Sequence, residues 1–170
     1  MSLQSDLKGW DGKKADYLTE VYDRYSSQPD FLELLIVQMN ASSLQSGATW
    51  LLKHHFDCGG EKLDAELATQ LYKNLPALVL WDAKLHVLQV MQHMPIPGHQ
   101  AAMTKAFVDQ CLQDDVKFVR AWAYSGFWEL ARQHPRFRGQ AEALLQNGLE
   151  QETAASIKAR IRKCLKRGWK

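Results

Sequence analysis

Strand signals are almost absent from this sequence. No Asn-Gly or Asp-Gly turn lies between alternating apolar runs, and apolar residues recur instead at three- and four-residue steps. A sheet is thereby excluded as the organising element. Cysteine is scarce as well: Cys58, Cys111 and Cys164 are far apart and form no C-x-x-C pair, which excludes a disulfide framework and a cysteine-based zinc site. They are expected to be small apolar packing residues in a reducing, cytoplasmic compartment. The longest nearly uncharged apolar run, residues 75–81, is far too short to span a bilayer. Residues 1–6 lack the basic head and apolar centre of a secretion signal, so neither membrane insertion nor export is expected. Only five of the 170 residues are proline, and 46% are hydrophobic, so little of the chain has the composition of a disordered tail. One folded domain over residues 1–170 is the reading.

What is present is helical periodicity. Tyr17, Leu18, Val21, Tyr22 and Tyr25 make one stripe of a helix over about residues 14–25, read as an N-terminal cap within residues 1–27. The opening Met1-Ser2-Leu3 is set aside, since such a start can come from cloning. Residues 28–168 then divide into about four helical hairpins. The first joins Phe31–Met39 to a helix carrying Leu44, Ala48, Leu51, Leu52 and His55, which Cys58-Gly59-Gly60 ends. The second pairs a helix marked by Leu63, Leu67 and Leu71 with a long apolar one over about residues 77–94. There Leu80, Ala83, Val87 and Met91 form one stripe and Trp81, Leu85 and Leu88 another, so that helix is expected to be covered on two sides. The third runs over about residues 100–112 and then along Val116, Val119, Ala123, Phe127 and Leu130. The fourth joins residues 139–149 to residues 153–166. Trp50, Lys84, Arg120 and Lys158 fall at comparable places in the second helices, separated by 34, 36 and 38 residues, a period typical of stacked helical hairpins. An irregular compact bundle is the alternative, though it would show a more uniform heptad seam.

Catalytic and metal-binding patterns fail at the level of spacing. There is no G-x-S-x-G elbow and no phosphate-cradling glycine loop. His54, His55, Asp57 and Cys58, and the pair His86 and His93, do not supply two histidines four apart with a glutamate between. No catalytic residue, metal or cofactor is expected.

Charge is more informative. Residues 1–85 hold 8 Lys/Arg against 12 Asp/Glu, whereas residues 86–170 hold 13 against 7, so net charges of −4 and +6 sit in the two halves. The densest basic stretch, Lys158, Arg160, Arg162, Lys163, Lys166, Arg167 and Lys170, has no acid after Glu152. Such a run either stays solvated at a helix end or meets an acidic partner or nucleic acid. Lys84, Arg120 and Lys158, with Arg162 one turn beyond and Trp122 nearby, would line one face of a stack and make a candidate binding surface. Arg120 has the alternative of bonding to Asp114 or a neighbouring acid and tying repeats together.

The segment from Asp114 to Ala123, with Asp114 followed six residues later by Arg120 just after a valine, resembles the second helix of a HEAT repeat. That resemblance is sharp in one repeat and extends over about residues 28–168 by spacing alone. It implies an all-α, right-handed armadillo-like superhelix whose second helices line a concave face. HEAT-like proteins of this kind commonly act as non-catalytic scaffolds for a partner protein or peptide, and that is the first functional expectation. Nucleic-acid binding through the basic C-terminal half is the second. Trp81, Asp82, Arg120 and Trp122 also look similar to the groove of the bacterial alkylpurine DNA glycosylases built of HEAT-like repeats, which implies a third. Neighbouring Trp81 and Asp82 leave a helix in different directions, so this reading stands last.

Overall fold

The computed structural model describes all 170 residues as ten α-helices with no β-strand. They are α1 (Leu3–Gly9), α2 (Ala15–Tyr25), α3 (Phe31–Gln38), α4 (Gln45–Asp57), α5 (Ala65–Lys73), α6 (Trp81–Val90), α7 (Ala101–Cys111), α8 (Lys117–Gln133), α9 (Arg138–Gln151) and α10 (Ala155–Arg167). No helix is long and apolar enough to cross a membrane.

The N-terminal segment holds two helices where one is expected from the periodicity. Ser2 caps α1 by accepting a hydrogen bond from the Ser5 N–H at 3.2 Å, and Leu3 and Leu7 are buried. Asp6, also buried, accepts from the Arg24 guanidinium at 2.6 Å and from the Tyr25 hydroxyl at 2.9 Å, locking α1 onto α2. Leu3, set aside as uninformative, therefore belongs to the core, while Met1 and Ser2 are exposed.

From α2 onward the even-numbered helices form an unbroken row: α2 packs on α4, α4 on α6, α6 on α8 and α8 on α10. The odd helices flank this row, α3 against α4 and α5, α7 against α8, and α9 against α8 and α10. A single cluster of 45 buried residues runs from Leu3 to Cys164. Helix α6, in mid-row, begins at Trp81 rather than near residue 77, because Leu75-Pro76-Ala77 forms a 3₁₀ turn and Leu80 is extended. Its Ala83, Val87, Leu88 and Val90 are buried, but Trp81 is 50% exposed. The expectation that the Trp81 stripe is covered thus holds for Leu88 and fails for Trp81.

Gly126 of α8 packs closely on the α6 side: a Cβ there would lie 2.9 Å from Leu88 Cδ2 and 3.2 Å from Met91 Sδ, so a larger residue would require those side chains to shift. The loop between α6 and α7 is fixed from α8: Gln133 accepts from the Ile96 N–H at 2.7 Å and donates to the Met94 carbonyl at 3.0 Å. Cys111 and Cys164 are buried as expected, whereas Cys58 is exposed at the C-terminal end of α4, outside the apolar seam.

Two expectations follow. Leu88 is 2% exposed, so Leu88→Ala should cost about 2–5 kcal/mol in urea denaturation. The exposed Arg162→Ala should cost under about 0.5 kcal/mol, and equal losses would overturn this assignment of faces. His86, on α6, lies with Nδ1 3.0 Å from Thr49 Oγ1 of α4, and burial pushes its imidazole down from 6.5 to about 4 despite nearby Asp82. Between those values the unfolded chain binds a proton that the folded chain refuses. Its stability contribution is complete above pH 6.5 and falls by about 2–4 kcal/mol as the pH drops toward 4. His86→Gln should flatten that part of a stability–pH curve; an unchanged slope would show that His86 is not the cause.

Candidate binding face on the even-numbered helices

The helix boundaries reset the register of the row. Lys84, Arg120 and Lys158 are each the fourth residue of α6, α8 and α10, but Trp50 is the sixth of α4, where Ala48 is fourth. Trp50 instead stacks on His54, with ring centroids 4.8 Å apart, and is not part of the cation series.

Two of the three cations are occupied. Lys84 Nζ lies 3.5 Å from Asp114 Oδ2, and the other oxygen of that carboxylate accepts the Val116 N–H at 2.9 Å where α8 begins. Arg120 donates from Nη1 to the carbonyls of Asp114 at 3.0 Å and Asp115 at 3.2 Å, and its Nε lies 3.4 Å from Glu152 Oε1. Tyr124 also donates to Glu152, at 3.3 Å; burial and then the Glu152 charge push its phenol up to about 12. In both cases a cation early in one helix holds the turn that precedes the next even-numbered helix. One helix before α6 in the row, Gln45 of α4 does the same without charge, accepting from the Val79 N–H at 3.0 Å and donating to the Ala77 carbonyl.

The remaining sequence candidates separate around α10. Lys158 and Arg162 have no acid within 4.0 Å and face away from the cleft that Trp122 lines. That cleft, between α6, α8 and α10, has a volume of about 100 Å³. Across it from Trp122 stand Arg160, Lys163 and Arg167, at steps of three and four residues that put them on one face of α10. The Arg160 guanidinium lies 3.7 Å from the centroid of the Trp122 ring. Gln89 and Gln92 from the α6 side and Ser125 from α8 add neutral hydrogen-bonding groups. The acid at its edge, Glu129, is 3% exposed and already held by Arg132, with Nε at 3.1 Å, and by Gln133 at 2.9 Å. Arg160, Lys163 and Arg167 form no ion pair within 4.0 Å. The sequence signal for them was available, since i, i+3 and i+7 spacing defines a helix face, but the repeat register drew attention to Lys158 and Arg162.

Chemistry elsewhere is limited by environment. Burial pushes the Cys164 thiol up and takes Cys111 to about 12, far from a reactive thiolate. No group of three or more His, Cys, Asp or Glu side chains is placed to hold a metal ion. Asp82, singled out by the glycosylase resemblance, accepts from Ser46 Oγ at 2.8 Å and so joins α6 to α4. At the opposite end of the face from the cleft, Trp81 and Phe118 are 50% and 51% exposed.

Because Arg120 serves three acceptors and Lys84 one, Arg120→Ala should cost about 1–3 kcal/mol and Lys84→Ala under about 1 kcal/mol in chemical denaturation. A larger loss for Lys84→Ala would reject the turn-holding role of Arg120.

Comparison with known protein families, with curated proteins and with solved structures yields no match for this chain.

Proposed function

We propose that the chain is a HEAT-like helical-repeat scaffold, without catalytic activity of its own, that binds an extended acidic segment of a partner protein along the α6–α8–α10 face. Support for the repeat architecture comes from the continuous row of even-numbered helices and from cations at the fourth position of three of them. In such a superhelix that row lines the concave side.

The observation that carries the functional reading is the pairing of exposed aromatics with unneutralised cations on one face. Phe118, Trp122 and Ser125 lie at i, i+4 and i+7 of α8, so one face of that helix runs from the exposed Phe118 into the Arg160–Lys163–Arg167 cleft. From Phe118 to Glu129 the helix rises about 16 Å, the length of roughly five extended residues. A segment with an apolar anchor at one end and carboxylates at the other matches it in size and charge, and exposed aromatic and arginine side chains are the usual anchors of protein interfaces. Duplex nucleic acid would use cations along the whole row, and Lys84 and Arg120 are already committed to Asp114 and Glu152.

Selection of a random twelve-residue peptide library against the full chain tests this. Enriched peptides should pair an apolar residue with Asp or Glu, and Phe118→Ala and Arg167→Gln should each weaken a selected peptide at least about fivefold. No enrichment, or tighter binding of a mixed-sequence oligonucleotide that fades steeply with salt, would overturn the reading.

A further inference from the structure

The cleft between Trp122 and α10 has an excess of charge that the fold does not use. Three cations line a space of about 100 Å³, and the one carboxylate at its edge is saturated by Arg132 and Gln133. Like charges held together in a partly enclosed space repel one another, and a bound anion is what relieves that repulsion. We propose that this cleft is a phosphoryl-binding subsite, taking a phosphorylated side chain carried by the partner segment. The inference rests on the reading of the α6–α8–α10 face as a partner-binding surface and specifies the ligand chemistry at one end of it.

Three features favour a phosphoryl group over a carboxylate. Three unpaired positive groups are better matched by a charge near −2 than by −1, and a phosphomonoester supplies about −1.5 to −2 at neutral pH. Arg160 is held beside Trp122, its guanidinium 3.7 Å from the ring centroid, and forms no ion pair, so a guanidinium suited to the two-pronged bond that phosphate oxygens accept stands at the cleft. Gln89 and Gln92 line the space as further neutral hydrogen-bonding groups, beside Ser125, whose Oγ lies 3.4 Å from Cys164 Sγ. A phosphodiester would bring only one charge and would need its chain to run on at both sides.

Lys158, Arg162 and Lys166 supply an internal control, since they are cations of the same helix on the side away from the cleft. The test is fluorescence anisotropy with a selected acidic peptide in three forms, bearing serine, glutamate or phosphoserine at the position nearest the cleft. The phosphoserine form should bind at least about tenfold tighter than the glutamate form. Lys163→Gln combined with Arg167→Gln should abolish that preference while the thermal unfolding midpoint stays within about 2 °C of the parent, because these side chains make no ion pair within the fold. Arg162→Gln combined with Lys166→Gln removes the same charge and should leave the preference intact. If glutamate and phosphoserine forms bind equally and both lose affinity in the cleft variant, the phosphoryl assignment fails while the partner-surface reading stands. If no form binds, the partner-surface reading itself fails. Equal loss in both double variants, or displacement of the phosphopeptide by a short single-stranded oligonucleotide at equimolar concentration, would replace the subsite with a diffuse polyelectrolyte surface and overturn the proposal.

Discussion

The constraint on which this structure depends is that the even-numbered helices within the row, α4, α6 and α8, must each be covered on two flanks by their neighbours. A helix with apolar residues on more than one stripe cannot be hidden by a single partner, and α6 and α8 are of this kind. Their contact is close enough that Gly126 sits where a Cβ would strike Leu88. Once the helices are that near, the turns between successive pairs must be held at a fixed height. Gln45, Lys84 and Arg120 do this from within the row, each reaching the turn before the next even helix. The polar ties are therefore subordinate to the apolar seam: they set the register of surfaces that burial has already brought together.

This explains why some of the sequence was readable and some was not. Helix class and most boundaries follow from stripes such as Leu18, Val21 and Tyr25, and from breakers such as Gly59-Gly60 and His134-Pro135. Helix α1 escaped notice because seven residues give too short a period, and its place is secured by tertiary bonds from Arg24, Tyr25 and Tyr17 to Asp6. Trp50 was aligned with Lys84 by counting along the chain, but hairpins of unequal length shift the register, and only the observed helix starts show which positions correspond. The cleft was the hardest feature to read. Its cations sit in one helix and its aromatic ring in another, and a sequence does not state which face of α10 meets which face of α8.

The same geometry accounts for the uneven charge of the chain. Cations in the middle of the row have an acid in the following turn, so Lys84 with Asp114 and Arg120 with Glu152 leave little net field there. Such pairs are partly exposed, so the Coulombic part of each tie is modest. On α10 the cations have no such partners, and the excess in the C-terminal half becomes a local field. Residues that maintain the row and residues free to meet a ligand are thus different sets, divided by whether a neighbouring turn supplies an acid.

That division also links any occupant of the cleft to the docking of α10. Among the residues described, α10 has one even-numbered neighbour, α8. It is held by Ile157, Ile161 and Cys164, and by a fold-back of the C-terminal residues. There Gly168, at φ +63°, lets the chain turn, Trp128 donates to the Gly168 carbonyl at 3.2 Å, and Trp169 stacks on Trp128 with centroids 3.8 Å apart. An anion gripped by Arg160, Lys163 and Arg167 while touching Ser125 or the α6 amides would bridge α10 to α8 and α6. It would bind only where α10 is docked, and by mass action it would draw the terminal helix onto the row. Ligand affinity and the local stability of the C-terminal helix are then two readings of one equilibrium, whatever anion fills the cleft.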